Sequence, residues 1–234
     1  MAIVNNMLEE RVATAYLASN VVSNRSTATL DGFETSMRFL GDDVFEALPN
    51  IGSLTGTLLD IGCGPGYASN YVTSGIYIGV DESSYMISHA QLTYSGSNIT
   101  FLQENILTTT VSDSSIDVAL ANDLYYRIDN LDLLHQKVYN LLKSGGTYVI
   151  IMINPGYYST PQFFLDNFTN YSFDMDENIV TGDYAGNAFT LADAALKLHP
   201  EQDIKDSLTT AGFTLDTWLP FWDNIRVAIV ASKA

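Results

Sequence analysis

Seven residues, Asp60-Ile61-Gly62-Cys63-Gly64-Pro65-Gly66, join a carboxylate to three glycines at alternate positions. Glycine tolerates positive φ and lets a ligand approach the backbone without meeting a Cβ, so this loop can cradle a nucleotide-like group. A second acid, Asp81, ends the apolar run Ile76-Tyr77-Ile78-Gly79-Val80, where a carboxylate can accept hydrogen bonds from both hydroxyls of a ribose. Spacing separates this loop from two others. A dinucleotide fingerprint reads Gly-x-Gly-x-x-Gly, and a P-loop ends in Gly-Lys-Ser/Thr, whereas no lysine stands near Gly66.

These residues need elements to hold them. Thr57 to Ile61 reads as a buried strand running into the loop. Tyr67 to Ser74 reads as a helical stretch presenting unpaired N–H groups to it. Strands and helices then alternate, which predicts a mostly parallel sheet. The helix Asn130 to Lys143 carries Leu131, Leu134, Val138, Leu141 and Leu142 at helical spacing and closes at Gly145-Gly146. A last helix, Glu201 to Ala211, precedes an antiparallel hairpin: Phe213 to Pro220, a turn at Asp223-Asn224, then Ile225 to Ser232. One domain is expected over 1–234. It divides into a helical N-terminal part (1–54, with an amphipathic run from Met7 to Leu17), a ligand-binding core (55–153), an insertion (154–200), and the last helix with its hairpin (201–234).

Composition narrows the partners. There are 27 acidic residues against 10 basic, a net charge of −17, and the cations are scattered. Neutralising phosphates requires a basic stripe, so nucleic acid is excluded as a partner and a small molecule is expected. A single cysteine rules out a disulfide framework, and Cys63 reads as a small buried residue of the loop. No signal-peptide pattern and no span-length apolar run are present, so a cytoplasmic protein with no membrane partner is expected. The oligomeric state is left open.

Asp60 to Gly66, followed by Gly79-Val80-Asp81-Glu82-Ser83, resembles motifs I and II of the class I S-adenosylmethionine-dependent methyltransferases. The resemblance extends over roughly residues 35–234. Ser83 to Ala90 is similar to the helix after the acidic strand, Phe101 to Ile106 to the third strand and its adenine turn, and Ser115 to Asn122 to the fourth strand. Leu141-Leu142-Lys143-Ser144-Gly145-Gly146 resembles the turn often read as Leu-Lys-Pro-Gly-Gly, with Ser144 in place of proline. Ala211-Gly212-Phe213 opens the last hairpin, which ordinary dinucleotide domains lack. The resemblance implies an α/β, Rossmann-like fold with a mostly parallel seven-stranded sheet, an antiparallel C-terminal hairpin and helices on both faces. It also implies S-adenosylmethionine as co-substrate and methyl transfer to a small organic acceptor, at oxygen or nitrogen.

Cofactor-binding roles follow from the resemblance and the chemistry of the ligand. Gly62, Cys63, Gly64 and Gly66 would lie along the amino-acid tail, and Asp60 would support the loop or reach the ammonium. Asp81, with Glu82 beside it, would take the ribose hydroxyls. Glu104, Asn105 and Ile106 would frame adenine, with Asn105 where the family usually has an acid and with an amide that can flip. Asn122, at the carboxyl end of the fourth strand, lies where such sheets meet ligands.

The acceptor side is less determined. Tyr125, Tyr126 and Arg127 follow the fourth strand and border the transfer point, although a tyrosine pair there is equally compatible with packing. Methyl transfer is an in-line displacement in which alignment supplies much of the catalysis. O-methylation would gain from a base, and related small-molecule methyltransferases often carry a histidine where His199 stands. His199 and Tyr126 are therefore the catalytic candidates, while His89 and His135 read as surface or core-edge residues. The insertion's aromatics (Tyr157, Tyr158, Phe163, Phe164, Phe168, Tyr171, Phe173) read either as a hydrophobic cluster under a lid or as a wall for the acceptor. Ile153-Asn154-Pro155-Gly156-Tyr157-Tyr158 faintly resembles the Asn-Pro-Pro-Tyr signature of amino-methylating DNA enzymes. It follows the fifth strand instead of the fourth, and the charge also argues against that reading. Two alternatives stay open: a non-catalytic S-adenosylmethionine-binding protein and a nicotinamide oxidoreductase.

Overall fold

The computed structural model describes residues 56–72, 74–155, 168–174, 179–184, 187–191, 199–221 and 226–234. The run from Met7 to Leu17, the aromatics Tyr157, Tyr158, Phe163 and Phe164, and the turn Asp223-Asn224 lie outside them, as do the side chains of Tyr126 and residues 168–191. The strands are β1 (Thr57–Ile61), β2 (Ile76–Asp81), β3 (Ile99–Gln103), β4 (Ile116–Asn122), β5 (Leu142–Ile153), β6 (Phe168–Asp174), β7 (Ile179–Tyr184), β8 (Asn187–Leu191), β9 (Phe213–Phe221) and β10 (Arg226–Lys233). The α-helices are α1 (Ser84–Thr93), α2 (Leu131–Leu141) and α3 (Glu201–Ala211).

Seven strands form one sheet in the order β3-β2-β1-β4-β5-β10-β9. β1 to β5 pair in parallel, β10 opposes β5, and β9 opposes β10, so β10 alone runs against the rest. Successive side chains of a strand point to opposite faces, and the two cores divide accordingly. Leu59, Ile61, Tyr148, Ile150, Val227 and Ile229 join Leu134, Val138, Ile204 and Leu208 from α2 and α3 on one face. Leu58, Leu120, Val149, Ile151 and Ala228 join Ile87 and Ala90 from α1 on the other. Helices therefore cover both faces, as expected for a parallel sheet.

Local chemistry sets the element ends. The Ser83 hydroxyl accepts from Met86 N at the start of α1, and the Asn130 side chain accepts from Leu133 N at the start of α2. Gly212, at φ 100°, stops α3. At the C-terminus of α2, Lys233 donates to the carbonyls of Tyr139 and Leu142 at 2.7 and 2.8 Å and lies 4.5 Å from the Tyr139 ring centre. Opposite the ligand end of the sheet, Asp117 accepts from Thr57 N at 2.7 Å and pairs with Lys143 at 2.8 Å, joining β1, β4 and the beginning of β5.

Three expectations change. Tyr67 to Ser74 is not an α-helix: only a five-residue 3-10 turn, Tyr67–Tyr71, follows the loop, and the β-branched Val72 ends it. It is too short to carry a helix dipole. The helix read as Asn130 to Lys143 ends at Leu141, and β5 begins at the next residue. Its partner register slips between Leu142 and Thr147, where Gly145 adopts φ 75°. The insertion also contains a three-stranded antiparallel sheet, β6-β7-β8, that the sequence reading did not resolve.

Candidate active site

At the carboxyl ends of β1, β2 and β4 a cavity of about 700 Å³ opens. The loop after β1 forms its floor and is pinned to the end of β2. Gly62 N and Cys63 N both donate to the Val80 carbonyl, at 2.8 and 3.1 Å. Gly62, Gly64 and Gly66 all adopt positive φ, at 70°, 52° and 87°. A Cβ on Gly66 would stand 2.6 Å from the Phe101 ring, so neither the conformation nor the space admits a side chain there. Asp81 locks the loop to the next strand: one oxygen accepts from Gly64 N at 3.0 Å and the other from Ser83 N at 2.8 Å.

Asp60 is 3% exposed yet lines this cavity. Tyr77 donates to its Oδ2 at 2.6 Å. Burial pushes the Asp60 carboxyl up to about 7; the Tyr77 hydrogen bond pulls it down, and the Asp81 charge raises it further. Burial, followed by the Asp60 and Asp81 charges, also raises the Cys63 thiol, so this residue is an inert part of the floor.

The turn after β3 supplies another wall. The Glu104 carboxylate accepts from Thr109 Oγ1, Thr110 N and Thr110 Oγ1 at 2.6 to 2.8 Å, and these bonds hold it below the usual carboxylate range. The Asn105 amide is fixed rather than free to flip. Its Oδ1 accepts from Leu107 N at 2.8 Å, and its Nδ2 donates to the Glu82 carboxylate. An acid at position 105 would face the Glu82 charge, whereas the amide donates to it.

The third wall is the segment after β4. Asn122, Asp123, Leu124, Arg127, Ile128, Asp129 and Asn130 line it, and Leu133 and Leu134 continue it along α2. Asp123 adopts φ 54°, uncommon for a side-chain-bearing residue, and donates its N–H to Ile151 O at 2.8 Å. Beneath this wall runs a buried polar chain. Tyr125 OH meets His135 Nε2 at 2.6 Å and Tyr148 OH at 3.3 Å, while His135 Nδ1 meets Ser207 Oγ at 2.8 Å.

Of the residues expected to bind cofactor, Asp60, Gly62, Cys63, Gly64, Asp81, Glu82, Asn105, Ile106 and Asn122 all line this one cavity. Gly66 lies just behind it, shaping the loop. His199 is not brought into the lining: its Nε2 donates to the Ile128 carbonyl at 2.9 Å, tethering the wall from outside. Tyr126 lies in the 3-10 turn Tyr125–Arg127, and its side chain is outside the described atoms. His135 is fully buried instead of lying at the surface or core edge. Sequence reasoning missed Tyr77, Asp123 and Asp129. Tyr77 had one legible signal: it stands two residues before a glycine, on a strand beside the one that carries Asp60.

Taken with its seven-stranded order and single reversed strand, this site defines a class I methyltransferase fold with a nucleoside-sized cavity at the expected edge. Residues 59–150 match the model of a methyltransferase domain. Protein 235L of Invertebrate iridescent virus 6, named for methyltransferase, is 32% identical over 99 residues, 41% of this chain and 36% of the relative. This chain therefore spans about a third of that relative's length. Carboxy-S-adenosyl-L-methionine synthase of Staphylococcus epidermidis is 24% identical over 186 residues, covering 79% of this chain and 77% of that one. Among solved structures, geranyl diphosphate C-methyltransferase of Streptomyces coelicolor A3(2), in complex with Mg2+, geranyl diphosphate and S-adenosyl-L-homocysteine, has a TM-score of 0.59 at 16% identity and covers 88% of this chain and 82% of its own. Residues 59–150 thus match a methyltransferase domain, and the fold is one shared with S-adenosylmethionine-dependent methyltransferases of known structure.

Proposed function

We propose that this chain transfers the methyl group of S-adenosylmethionine to a small organic acceptor, at oxygen or nitrogen, leaving S-adenosylhomocysteine. The observation that carries this reading is the charge of the cavity. Among the described residues Asp60, Asp81, Glu82, Glu104, Asp123 and Asp129 line it against one cation, Arg127, which suits a ligand bearing both a sulfonium and an ammonium. When bound, S-adenosylmethionine supplies an electrophilic methyl carbon on a good leaving group. Asp60 attracts the ammonium, and the loop backbone from Gly62 to Gly66 lies along the tail. Asp81 shares its oxygens between the loop and the ribose hydroxyls, while Ile106 and the Asn105 turn flank the adenine. The segment Asn122 to Asn130 forms the wall between methyl donor and acceptor.

His199 holds this wall through Ile128, so we assign it to positioning rather than to proton removal. Tyr126, in the same segment, borders the acceptor. Orientation by these walls supplies the rate, with the acceptor's proton passing to solvent or to a wall carboxylate. In this reading no nucleic acid or membrane takes part. The strongly acidic composition supports a small-molecule acceptor, and the lone cysteine fits a cytoplasmic location. Among the described residues no helix is long and apolar enough to cross a membrane.

A second reading has its own support. A relative that matches most of this chain is named as a synthase of carboxy-S-adenosyl-L-methionine, and in this second reading S-adenosylmethionine is itself altered rather than used as a donor. Mass spectrometry after incubation with S-adenosylmethionine and a panel of small amines, phenols and carboxylic acids tests both. Release of S-adenosylhomocysteine with a methylated acceptor, lost in Asp81→Ala, is expected. A heavier S-adenosylmethionine derivative would establish the second reading. Tight cofactor binding with no product across the panel would favour a non-catalytic binder.

A further inference from the structure

Tyr77 lies wholly inside the sheet. Its ring packs edge-on against Phe101, with centroids 5.5 Å apart, and its hydroxyl reaches across from β2 to Asp60 on β1. The reach depends on what is missing between them. Asp60 pairs in register with Gly79, two residues beyond Tyr77 on the same strand face. A Cβ at Gly79 would stand 3.0 Å from the Tyr77 ring, 2.8 Å from Phe101 and 2.9 Å from the Cys63 sulfur. The bare position leaves the slot through which the phenol reaches the carboxylate at the cavity floor.

We propose that Tyr77 is a positioning residue for the charged end of the co-substrate: its phenol holds Asp60 as the ammonium-binding carboxylate, so that binding of the amino-acid tail, but not of the adenosine, depends on pH. The inference rests on the reading that the cavity binds S-adenosylmethionine. Burial drives the Asp60 carboxyl up to about 7, and among the described residues the other titratable groups acting on it are Tyr77 and Asp81, both from β2. The Cys63 thiol stands beside them in the loop, Tyr94 acts on Tyr77 from beyond α1, and β4 presents only Leu120 in register with Asp60. Every charge among these groups is negative, so none stabilises an ionised Asp60. The Tyr77 hydrogen bond is the one influence that favours it. Without the phenol, the Asp60 carboxyl is pushed higher still, so that less of it is ionised to attract an ammonium at neutral pH.

Calorimetry between pH 5.5 and 7.5, where an α-amino group stays mostly protonated, tests this with two ligands. S-adenosylmethionine carries the charged tail, whereas 5′-methylthioadenosine has the same adenosine without it. For the unaltered protein, S-adenosylmethionine affinity is expected to rise by roughly tenfold or more over this range as Asp60 ionises, while 5′-methylthioadenosine affinity stays level. In Tyr77→Phe, S-adenosylmethionine affinity at pH 7.5 falls several-fold towards that of Asp60→Asn, and 5′-methylthioadenosine binds as before. Equal losses for both ligands would mean that Tyr77 only supports the fold, and would overturn the inference. A level S-adenosylmethionine profile in the unaltered protein would also overturn it, whether or not Tyr77→Phe folds. No S-adenosylmethionine binding at any pH would instead overturn the underlying reading and the inference with it.

Discussion

Asp60 places a buried carboxyl at the cavity floor at the expense of stability. Its folded pKa of about 7 stands well above the ordinary value of 3.8, so folding favours the protonated acid. The sign follows directly. Its contribution is fully present below pH 3.8 and is lost as pH rises through about 7, leaving a deficit of up to about 4 kcal/mol in alkaline solution. Asp60→Asn keeps the shape and a partner for Tyr77 without the charge. Without ligand it is expected to raise the melting temperature at pH 8, by about 1–3 kcal/mol in stability, with little gain at pH 4.5. Thermal melts at the two pH values check this. Asp60, Asp81 and the glycines were legible because their chemistry is written in local sequence. Tyr77 was not, because its function exists only once β1 and β2 are in register and Gly79 leaves room.

The elements around the cavity are held by polar contacts that helical periodicity does not display. His135 lies on the inward face of α2 among Leu131, Leu134 and Val138, so its position predicts burial but not its partners. Tyr125 comes from the turn after β4, Ser207 from α3 and Tyr148 from β5. Burial lowers His135 to about 4; the Asp132 charge and the Ser207 bond raise it, and His199 lowers it. A neutral buried histidine contributes stability above pH 6.5, and this is lost as pH falls through about 4. Ser207→Ala leaves a ring nitrogen unsatisfied and is expected to cost about 1–2 kcal/mol in urea unfolding, with a similar cost for Tyr125→Phe. Because they share one chain of bonds, the double variant is expected to lose at least about 0.5 kcal/mol less than the sum. The strands of the seven-stranded sheet were legible to within a few residues from apolar runs. The short turn at Tyr67–Tyr71 was not, since glycines followed by mixed polar residues suit a 3-10 turn as well as a helix.

Across the whole molecule the net charge of −17 favours solubility but pushes the compact state apart. Added salt screens this repulsion, so the melting temperature is expected to rise between about 10 mM and 150 mM sodium chloride, where the Debye length shortens to roughly 8 Å. A titration of melting temperature against salt reads this directly. In the same low-salt buffer a labelled DNA or RNA duplex is expected to show no shift in anisotropy, because no basic stripe exists to release its counterions. The mostly parallel sheet and its closing antiparallel hairpin were legible from alternating elements and the resemblance, whereas the strand order is seen only in the structure. The small β6-β7-β8 sheet was not legible, because its segments are set among aromatics that could equally have packed without pairing.

The bond between Asn105 and Glu82 has a consequence for inheritance. Position 105 caps its own turn with a side-chain oxygen while facing Glu82, the residue after Asp81. An ionised acid could keep the cap but would have no N–H for Glu82. The two positions are thus bound to drift together: a lineage that acquires an acid at 105 is expected to have first exchanged Glu82 for an uncharged residue, and chains with acids at both positions are expected to be rare among its close kin.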